Sequence, residues 1–179
     1  MKRPAIFLDR DGTLIEEVNF LSRVEDLRLF PFTVDAVKLL KDKGFLIIVV
    51  TNQSGIGRGI YDEAAMHSIH DQIQIELADA VDAFYFCPHL PSDRCRCRKP
   101  GLGMLESAMA DFEIDLERSW IIGDKKIDVE TGQSIGIKTA FVLTGYGRKH
   151  RSALKQAPDI SAEHLGAAAN EIGKFTVKR

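Results

Sequence analysis

The architecture of this chain follows from residues 5–13, which read Ala-Ile-Phe-Leu-Asp-Arg-Asp-Gly-Thr. Four apolar residues in a row, bounded by charged residues and glycine, are typical of a short strand that is buried on both faces. This strand brings Asp9 and Asp11 to its carboxyl end, the edge of an open α/β sheet where ligands bind. Two carboxylates this close are costly unless a cation lies between them, and oxygen ligands suit Mg²⁺. An acidic turn is the alternative, because Asp and Gly are ordinary turn residues.

Strands and helices alternate along the rest of the sequence. Runs rich in β-branched and aromatic residues predict strands at residues 45–50, 83–87, 120–123 and 139–143. Helical periodicity with capping residues predicts helices at residues 33–43, 62–79, 103–112, 126–135 and 162–174. His67 and His70, on the second of these helices, are expected to be exposed or half-buried, and the glycine-rich residues 55–59 are expected to be flexible. The alternation predicts an α/β fold with a three-layer, doubly wound parallel sheet.

Length and composition indicate one domain spanning residues 1–179. Apolar residues make up 45% of the chain, and a formal net charge of -2 gives no sign of a surface for nucleic acid. No apolar run approaches the ~20 residues that a membrane-spanning helix needs. The charged N-terminus leads directly into the first strand, without room for a signal peptide. We therefore expect a cytoplasmic monomer with neither nucleic-acid nor membrane partners.

The three cysteines of the chain all fall between residues 87 and 97. An odd number of cysteines in one short segment argues against a disulfide framework. Together with a histidine they match a closed Cys₃His zinc site, whose donors would be Cys87, His89, Cys95 and Cys97. Four protein ligands leave no position for water, so the zinc would be structural and would hold the loop of residues 87–100. Reduced surface cysteines beside an incidental histidine are the alternative.

Polar residues follow the predicted strands in a particular series. In chain order the motifs are Asp-x-Asp-Gly-Thr at residues 9–13, Thr-Asn at 51–52, Arg-Lys-Pro at 98–100 and Gly-Asp at 123–124. The series resembles the haloacid dehalogenase superfamily of aspartate-nucleophile phosphatases over nearly the whole chain. The resemblance implies a Rossmann-like fold. It also implies a member without a cap domain, because the spacing between these motifs leaves no room for an inserted domain.

The residues of these motifs suit phosphoryl transfer, which needs a nucleophile, an acid for the leaving oxygen and fixed positive charge. By position, Asp9 is the candidate nucleophile and Asp11 the general acid and then general base, and the resemblance assigns the same roles. Thr51 and Asn52 offer a hydroxyl and an amide to phosphoryl oxygens, and Lys99 offers the charge. Taken alone, Thr51 and Asn52 could be a polar cap on a loop, and a lysine before proline is usually solvated.

A magnesium site is expected beside these groups. Asp124, which follows the fourth predicted strand, would bind Mg²⁺ together with Asp9. The resemblance adds the backbone carbonyl of Asp11 to this ligand set. Asp128 fits an acid that orients the site, or a charge at a helix N-terminus, better than it fits a direct ligand.

The zinc loop, which ends in Cys-x-Cys-Arg-Lys-Pro, narrows the resemblance to two enzyme families. These are the D-glycero-D-manno-heptose-1,7-bisphosphate 7-phosphatases of nucleotide-heptose synthesis for surface lipopolysaccharide, and the histidinol-phosphate phosphatases of histidine synthesis. Residues 50–59 and 123–125 look like the heptose family, whereas residues 87–93 look nearer the histidinol family. Gly-Leu-Gly-Met at residues 101–104 departs from the His-Pro-Gly-Met that is usual in the heptose family.

The positive charges near the predicted site favour a bisphosphate substrate over histidinol phosphate. Arg58, Arg98 and Lys125 supply cations beyond the reacting centre, whereas Glu16 and Glu17 could meet either an amine or sugar hydroxyls. We therefore expect a phosphosugar substrate, the heptose bisphosphate, with histidinol phosphate as the alternative. By resemblance and motif position, the substrate-binding residues are Glu17, Asn19, Phe20, Asn52, Gln53, Ser54, Arg98 and Lys125.

Two hypotheses from other classes make different demands on the sequence. A non-catalytic, zinc-stabilised binding domain on a phosphatase fold would not need the motif residues, so the joint presence of Asp9, Asp11, Thr51, Lys99 and Asp124 argues against it. A phosphatase acting on nucleic-acid ends is disfavoured by the charge balance of the chain.

Overall fold

The protein folds around a parallel sheet, and the structure, a computed structural model, describes residues 2–175. Within these residues the strands are β1 (Ala5–Leu8), β2 (Leu46–Asn52), β3 (Ala83–Cys87), β4 (Trp120–Gly123), β5 (Lys138–Val142) and β6 (Ile160–Ala162). Their order is β3-β2-β1-β4-β5-β6, and every neighbouring pair is parallel. The predicted α/β class and doubly wound parallel sheet are confirmed.

Helices cover both faces of the sheet. The described α-helices are α1 (Thr33–Asp42), α2 (Ser54–Gly57), α3 (Glu63–Glu76), α4 (Gly103–Asp111), α5 (Lys126–Ser134), α6 (Gly147–His150) and α7 (Leu165–Ile172). Short 3₁₀ turns lie at Val24–Asp26, Pro91–Asp93, Leu116–Arg118 and Arg151–Ala153. The helix α3 begins where predicted because the Asp62 carboxylate accepts a hydrogen bond from the Ala65 N–H at 2.8 Å. Among the helices within residues 2–175, none combines the length and apolarity that a membrane crossing requires.

The strand β6 was not predicted. It pairs with β5 in the register Ala140 to Ile160, and the final helix begins at Leu165 rather than at residue 162. The cap of that helix is His164, whose Nδ1 accepts from the Ala167 N–H at 3.2 Å. A strand of three residues carries too few positions for its alternation to be recognised. Residues 55–57 of the segment expected to be flexible belong to the short helix α2, and residues 58–59 form the turn after it.

Every residue of β1 is buried because apolar side chains pack on both faces of the sheet. Ile6 and Leu8 belong to one hydrophobic cluster, and Ala5 and Phe7 belong to the other. This period of two is expected of a strand with two buried faces. Burying a large apolar side chain contributes roughly 1.5–3 kcal/mol. The edge at which Asp9 emerges is therefore held by the core on both sides.

Candidate active site

Three neighbouring strands bring polar side chains to one edge of the sheet. Asp9 follows β1, Thr51 and Asn52 end β2, and Asp124 follows β4. The strand β1 lies between the other two, and the Asp9 N–H donates to the Ile122 carbonyl at 2.9 Å. Because parallel strands end at the same edge of a sheet, these residues from distant parts of the chain lie side by side.

The Asp9 carboxylate lies between two ammonium groups. Its Oδ1 is 3.0 Å from Nζ of Lys99, and its Oδ2 is 3.6 Å from Nζ of Lys125. Burial opposes ionisation of Asp9, yet the charges of Lys99 and Lys125 outweigh burial and hold its pKa below the ordinary value. Asp9 is therefore an ionised carboxylate whose charge is balanced by the protein itself.

Lys99 is a buried cation that is held at both its side chain and its backbone. Its Nζ donates to the Val50 carbonyl at 2.7 Å and pairs with Oδ1 of Asp128 at 2.7 Å, besides its contact with Asp9. Burial disfavours the charged form, but Asp128 and Asp9 more than compensate and raise the pKa of Lys99. The amide of Asn52 accepts from the Lys99 N–H at 3.0 Å and donates to its carbonyl at 3.2 Å. A fixed positive charge thus stands beside Asp9.

Three carboxylates form a possible site for a divalent cation. Oxygens of Asp9, Asp124 and Asp128 lie within 4.8 Å of one another. Asp124 is fully buried, and its Oδ2 accepts from the Tyr146 N–H at 2.7 Å, whereas its Oδ1 meets no hydrogen-bond donor within residues 2–175. Burial is the main cause that raises the pKa of Asp124 to about 8, although Lys125 opposes the shift. A set of oxygen donors that includes a buried oxygen without a hydrogen bond fits a hard cation such as Mg²⁺.

Asp9 and Asp124, two of the three predicted magnesium ligands, belong to this cluster, whereas the Asp11 carboxylate does not. The Asp11 carbonyl lies 3.5 Å from Nζ of Lys125, which also contacts Asp9 and Asp124. The third carboxylate of the cluster is Asp128, whose Oδ2 accepts from the Lys125 N–H at 3.0 Å at the start of α5. Asp128 thus pairs with the Lys99 ammonium and also caps the N-terminus of α5.

Gly12 allows the turn after Asp9 to pack against Asp124. Its φ of +85° lies in the left-handed region, and a Cβ at this position would overlap the Asp124 carboxylate. The Thr144 hydroxyl donates to the Gly12 carbonyl at 2.6 Å, which ties the turn to the loop after β5. A residue with a side chain at position 12 could not bring these two acids so close.

The Asp11 carboxylate is held by Arg10, a residue that the sequence analysis did not single out. Nε and Nη2 of Arg10 donate to Asp11 at 3.0 and 3.1 Å, and Nε2 of Gln53 donates to it at 2.8 Å. Arg10 also contacts His70, which is buried and not exposed or half-buried as expected. A signal was available, because an arginine next to a fully buried strand must find buried partners.

A pocket opens in front of Asp9. It is lined by Asp9, Asp11, Glu17, Val18, Asn19, Phe20, Leu21, Asn52, Gln53, Ser54, Tyr61, Lys99, Lys125 and Ile127. The lining includes every predicted substrate-binding residue except Arg98. Arg98 lines an adjoining cleft together with Arg94, and Lys99 borders both spaces. A phosphate at Asp9 would therefore have one polar pocket and one basic cleft beside it.

Two residues near the pocket are already engaged within the protein. Thr51 is buried behind the pocket, and its hydroxyl accepts from Nε2 of Gln53 at 2.7 Å. Glu17 lies 3.4 Å from Nζ of Lys125, and burial raises its pKa although that lysine opposes the shift. The pocket thus carries charges of both signs, which suits a phosphate ester with several hydroxyl groups.

Three thiols and an imidazole cluster at the end of β3 and in the loop that follows it. The sulfur atoms of Cys87, Cys95 and Cys97 lie 3.2–3.4 Å apart, and Nδ1 of His89 lies 3.2 Å from Cys97 and 3.6 Å from Cys87. These separations exceed the ~2.05 Å of a disulfide and approach those around a zinc ion with ~2.3 Å bonds to sulfur. Burial raises the pKa of the Cys87 thiol, an effect that a coordinated cation would reverse. The donor set fits Zn²⁺.

The segment after this cluster is a compact loop that leads to Lys99. The Gly101 N–H donates to the Arg98 carbonyl at 2.6 Å, and the Gly103 N–H donates to the Arg96 carbonyl at 3.0 Å. A Cβ on Gly101 would overlap the Arg96 backbone. Lys99 follows the last thiol of the cluster by only two residues, so the position of the cysteines and the position of the buried cation are linked through a short, tightly packed segment.

Comparison with known proteins agrees with this geometry. Residues 96–168 match the family model described as HAD-hydrolase-like. The chain is 38% identical to the D-glycero-D-manno-heptose-1,7-bisphosphate 7-phosphatase of Thermosynechococcus vestitus, over 96% of each chain. It is also 38% identical to the D-glycero-beta-D-manno-heptose-1,7-bisphosphate 7-phosphatase of Escherichia coli, over 96% of this chain and 94% of the relative.

A solved structure extends the similarity to three dimensions. The D,D-heptose 1,7-bisphosphate phosphatase from B. bronchiseptica, complexed with magnesium and phosphate, superimposes with a TM-score of 0.88 at 31% identity, over 96% of this chain and 98% of that chain. The motif series, the sheet order and these similarities over nearly the full length agree with one another. The chain therefore belongs to the D-glycero-D-manno-heptose-1,7-bisphosphate 7-phosphatase family of the haloacid dehalogenase-like hydrolases.

Proposed function

We propose that this protein removes the 7-phosphate of D-glycero-D-manno-heptose 1,7-bisphosphate with Mg²⁺ as cofactor, in nucleotide-heptose synthesis for surface lipopolysaccharide. One observation carries the proposal: the ionised Asp9 lies between Lys99 and Lys125 on the floor of a polar pocket, in a chain of this family. Residues 1–179 would act as one domain and as a monomer, with short loops in place of a cap.

In the first step, Asp9 attacks the phosphorus of the 7-phosphate. A bond forms between a carboxylate oxygen and phosphorus, while the bond from phosphorus to the sugar oxygen breaks. Asp11, in its protonated form, gives its proton to the departing oxygen, so that a neutral alcohol leaves. The phosphoryl group remains on Asp9 as an aspartyl-phosphate. The charge of Lys99 stabilises the transition state because it is already in place beside Asp9.

In the second step, water hydrolyses the aspartyl-phosphate. Asp11, now ionised, removes a proton from the water as its oxygen attacks phosphorus. The bond between phosphorus and Asp9 breaks, inorganic phosphate leaves, and Asp11 is again protonated for the next substrate. One residue serves both steps because the leaving alcohol and the incoming water occupy the same position in turn.

Asp9, Asp124 and the backbone carbonyl of Asp11 would hold the Mg²⁺. Oδ1 of Asp124 accepts no hydrogen bond from the described residues and has only the Lys125 ammonium 3.7 Å away, and the pKa of Asp124 is raised to about 8. Both observations support this assignment, because they indicate a buried carboxylate whose charge the protein offsets only in part. When bound, Mg²⁺ supplies positive charge that offsets the charge of the carboxylates and of the phosphate.

A structural zinc ion held by Cys87, His89, Cys95 and Cys97 would fix the segment that carries Lys99. The closed donor set and the short distances within the loop support this role. In this arrangement the zinc affects catalysis only through the position of the loop.

Substrate recognition is assigned to the pocket and to the cleft beside it. Glu17, Asn19 and Ser54 present groups that can hydrogen-bond sugar hydroxyls, and Phe20 presents an aromatic face. The phosphate that is not hydrolysed would lie toward Arg98 in the adjoining cleft. A bisphosphate matches two separate cationic regions better than a monophosphate does.

The test is a direct comparison of substrates. Phosphate release in the presence of Mg²⁺ is measured for both anomers of the heptose 1,7-bisphosphate and for histidinol phosphate, with Asp9→Asn as the blank. We expect a clear preference for one heptose anomer and no release by the blank. Preference for histidinol phosphate would overturn the substrate and leave the chemistry standing, whereas equal activity of Asp9→Asn would overturn the nucleophile.

A further inference from the structure

Arg10 is a buried cation whose described contacts all lie inside the protein. Its side chain is 1% exposed, and it does not line the pocket. Its guanidinium donates to both oxygens of Asp11 and to Oε1 of Gln53 at 3.0 Å, and its Nη1 lies 3.3 Å from Nε2 of His70. A buried guanidinium without such partners would be strongly destabilising. These three residues take up four of the five donors of the guanidinium and so determine its orientation.

His70 contacts the guanidinium at Nη1, and not at the Nε and Nη2 atoms that donate to Asp11. It is 4% exposed and stacks on the ring of Phe84 with centroids 4.5 Å apart. Burial is the main cause that lowers the pKa of His70 to about 3, and Arg10 adds to it. The imidazole is therefore neutral near pH 7, so its Nε2 can accept the hydrogen bond that Arg10, which has donors only, must give.

Gln53 supports the same arrangement from the pocket side. Its Oε1 accepts from Arg10 and from the Tyr61 hydroxyl at 2.5 Å, and its Nε2 donates to Asp11 and to Thr51. Both ends of this amide are thus occupied, and Asp11 receives hydrogen bonds from two side chains that are themselves fixed.

We propose that Arg10 is a positioning residue for Asp11. Its bidentate contact orients the Asp11 carboxyl group so that it can protonate the leaving oxygen. This rests on the proposed phosphatase activity. Two parallel hydrogen bonds define the plane of a carboxylate, whereas a single point charge does not. Lysine at position 10 would keep the charge and lose this alignment. His70 would act one step further away, by orienting Arg10.

Such a role has a signature that loss of folding or of substrate binding does not share. An alcohol with a high pKa leaves only when an acid protonates it, whereas 4-nitrophenolate leaves readily without a proton. A misaligned Asp11 should therefore slow the first step for alkyl phosphates and phenyl phosphate much more than for 4-nitrophenyl phosphate. A general loss of structure should slow all of these esters by the same factor.

The experiment measures the first turnover of the Mg²⁺-loaded protein with phenyl phosphate, 4-nitrophenyl phosphate and the heptose bisphosphate. The variants are Arg10→Lys and His70→Phe, which retains an aromatic ring against Phe84 but no acceptor for Arg10. Asp11→Asn gives the pattern of a missing acid, and Lys99→Met gives the pattern of missing charge. Thermal melts accompany every variant, so that activities are compared only for folded protein.

We expect Arg10→Lys to slow release of phenol and of the heptose 1-phosphate by roughly 10²-fold, a part of what general acid catalysis supplies, with a much smaller loss for 4-nitrophenol. His70→Phe should show the same pattern at smaller size, and it carries the test if Arg10→Lys fails to fold. Equal losses for all esters in a folded variant would overturn the role of Arg10, as would wild-type rates. Failure of the wild-type protein to cleave any ester would instead overturn the proposed function.

Discussion

The two clusters of potential metal ligands in this protein are stabilised in opposite ways. Asp9, Asp124 and Asp128 come from distant parts of the chain and meet at the edge of the sheet, where Lys99 and Lys125 offset part of their charge. The thiols and imidazole of Cys87, His89, Cys95 and Cys97 come from the end of β3 and the loop that follows it, and their donor atoms lie close to one another, with no lysine or arginine of residues 2–175 paired with them. The cluster of three carboxylates should keep its geometry without a metal. The loop that carries His89, Cys95 and Cys97, the thiol loop, should lose its geometry when the metal is removed.

This difference indicates that the carboxylate cluster and the thiol loop have different roles. A site that must bind and release a charged substrate benefits from geometry that the protein enforces by itself. A loop that only has to place one lysine can rely on an ion that never leaves. The two regions meet at Lys99, which pairs with Asp9 and follows Cys97 by two residues.

Replacement of Lys99 by methionine should have the largest effect. We expect kcat to fall by roughly 10²–10³-fold, as when one preorganised group is removed from a transition state. The variant should also lose about 3–5 kcal/mol of unfolding free energy, because Asp128 would remain buried without its partner. Steady-state kinetics and urea unfolding measure the two effects, with the exposed Lys43→Met as control. A folded variant with nearly normal kcat would mean that the catalytic site lies elsewhere.

Loss of the thiol cluster should act on catalysis only through position. We expect Cys95→Ser to bind less zinc, to melt at a lower temperature and to lose kcat on the order of 10²-fold, because Lys99 would shift relative to Asp9. The sheet should remain folded, so the far-ultraviolet circular dichroism spectrum should change little. Metal analysis, melting curves and kinetics are compared with Ser92→Ala, a change in the same loop that touches no ligand. Unchanged melting after proven zinc loss would contradict the structural role.

His70 should make the region behind Asp11 sensitive to acid. Its pKa is about 3 in the folded protein and near 6.5 when unfolded, so the unfolded state binds the proton first as pH falls. Stability is therefore full above pH 6.5 and is lost progressively toward pH 3, by about 2 kcal/mol at pH 5. Urea unfolding at several pH values measures the loss, and His70→Phe should remove this component. An equal pH dependence in the two proteins would show that His70 carries none of it.

The smallest effect is expected for an ion pair on the surface of the thiol loop. Nη2 of Arg96 lies 2.6 Å from Oε1 of Glu106, but the arginine side chain is 81% exposed. Arg96→Ala should change the unfolding free energy by less than about 1 kcal/mol and leave kcat as it is. A double-mutant cycle with Glu106→Ala isolates the pair. A coupling well above this value would mean that ion pairs, and not the metal, hold the loop.

Much of the fold could be predicted because its signals are local. The apolar run at residues 5–8 and the β-branched run of β2 are more hydrophobic than a surface loop would be, so both indicate buried strands. The motif residues lie where those strands end. The rule that parallel strands end at one edge then brings Asp9 next to Asp124. The strand β6 was not predicted, because three residues are too few to show the alternation of apolar and polar side chains that indicates a strand.

The supporting contacts of the site could not be predicted in the same way. His70 meets Arg10 across 60 positions of sequence, and nothing in the helix that carries it marks the contact. The amide of Asn52, expected on phosphoryl oxygens, brackets the backbone of Lys99. In both cases the residue type was noticed, but its partner is set by how the loop and the helix pack on the sheet, which local pattern does not encode.

The order of the strands also divides the protein into two halves that could be made separately. Residues 5–87 supply β1, β2 and β3, residues 120–162 supply the other three strands, and the halves join along β1 and β4, from Ile6 opposite Trp120 to Leu8 opposite Ile122. Asp9 lies on one side of this seam and Asp124 on the other. A chain break within residues 112–119 would therefore leave neither fragment with a complete catalytic centre. Phosphate release by a mixture of the two fragments would then be a direct measure of their association.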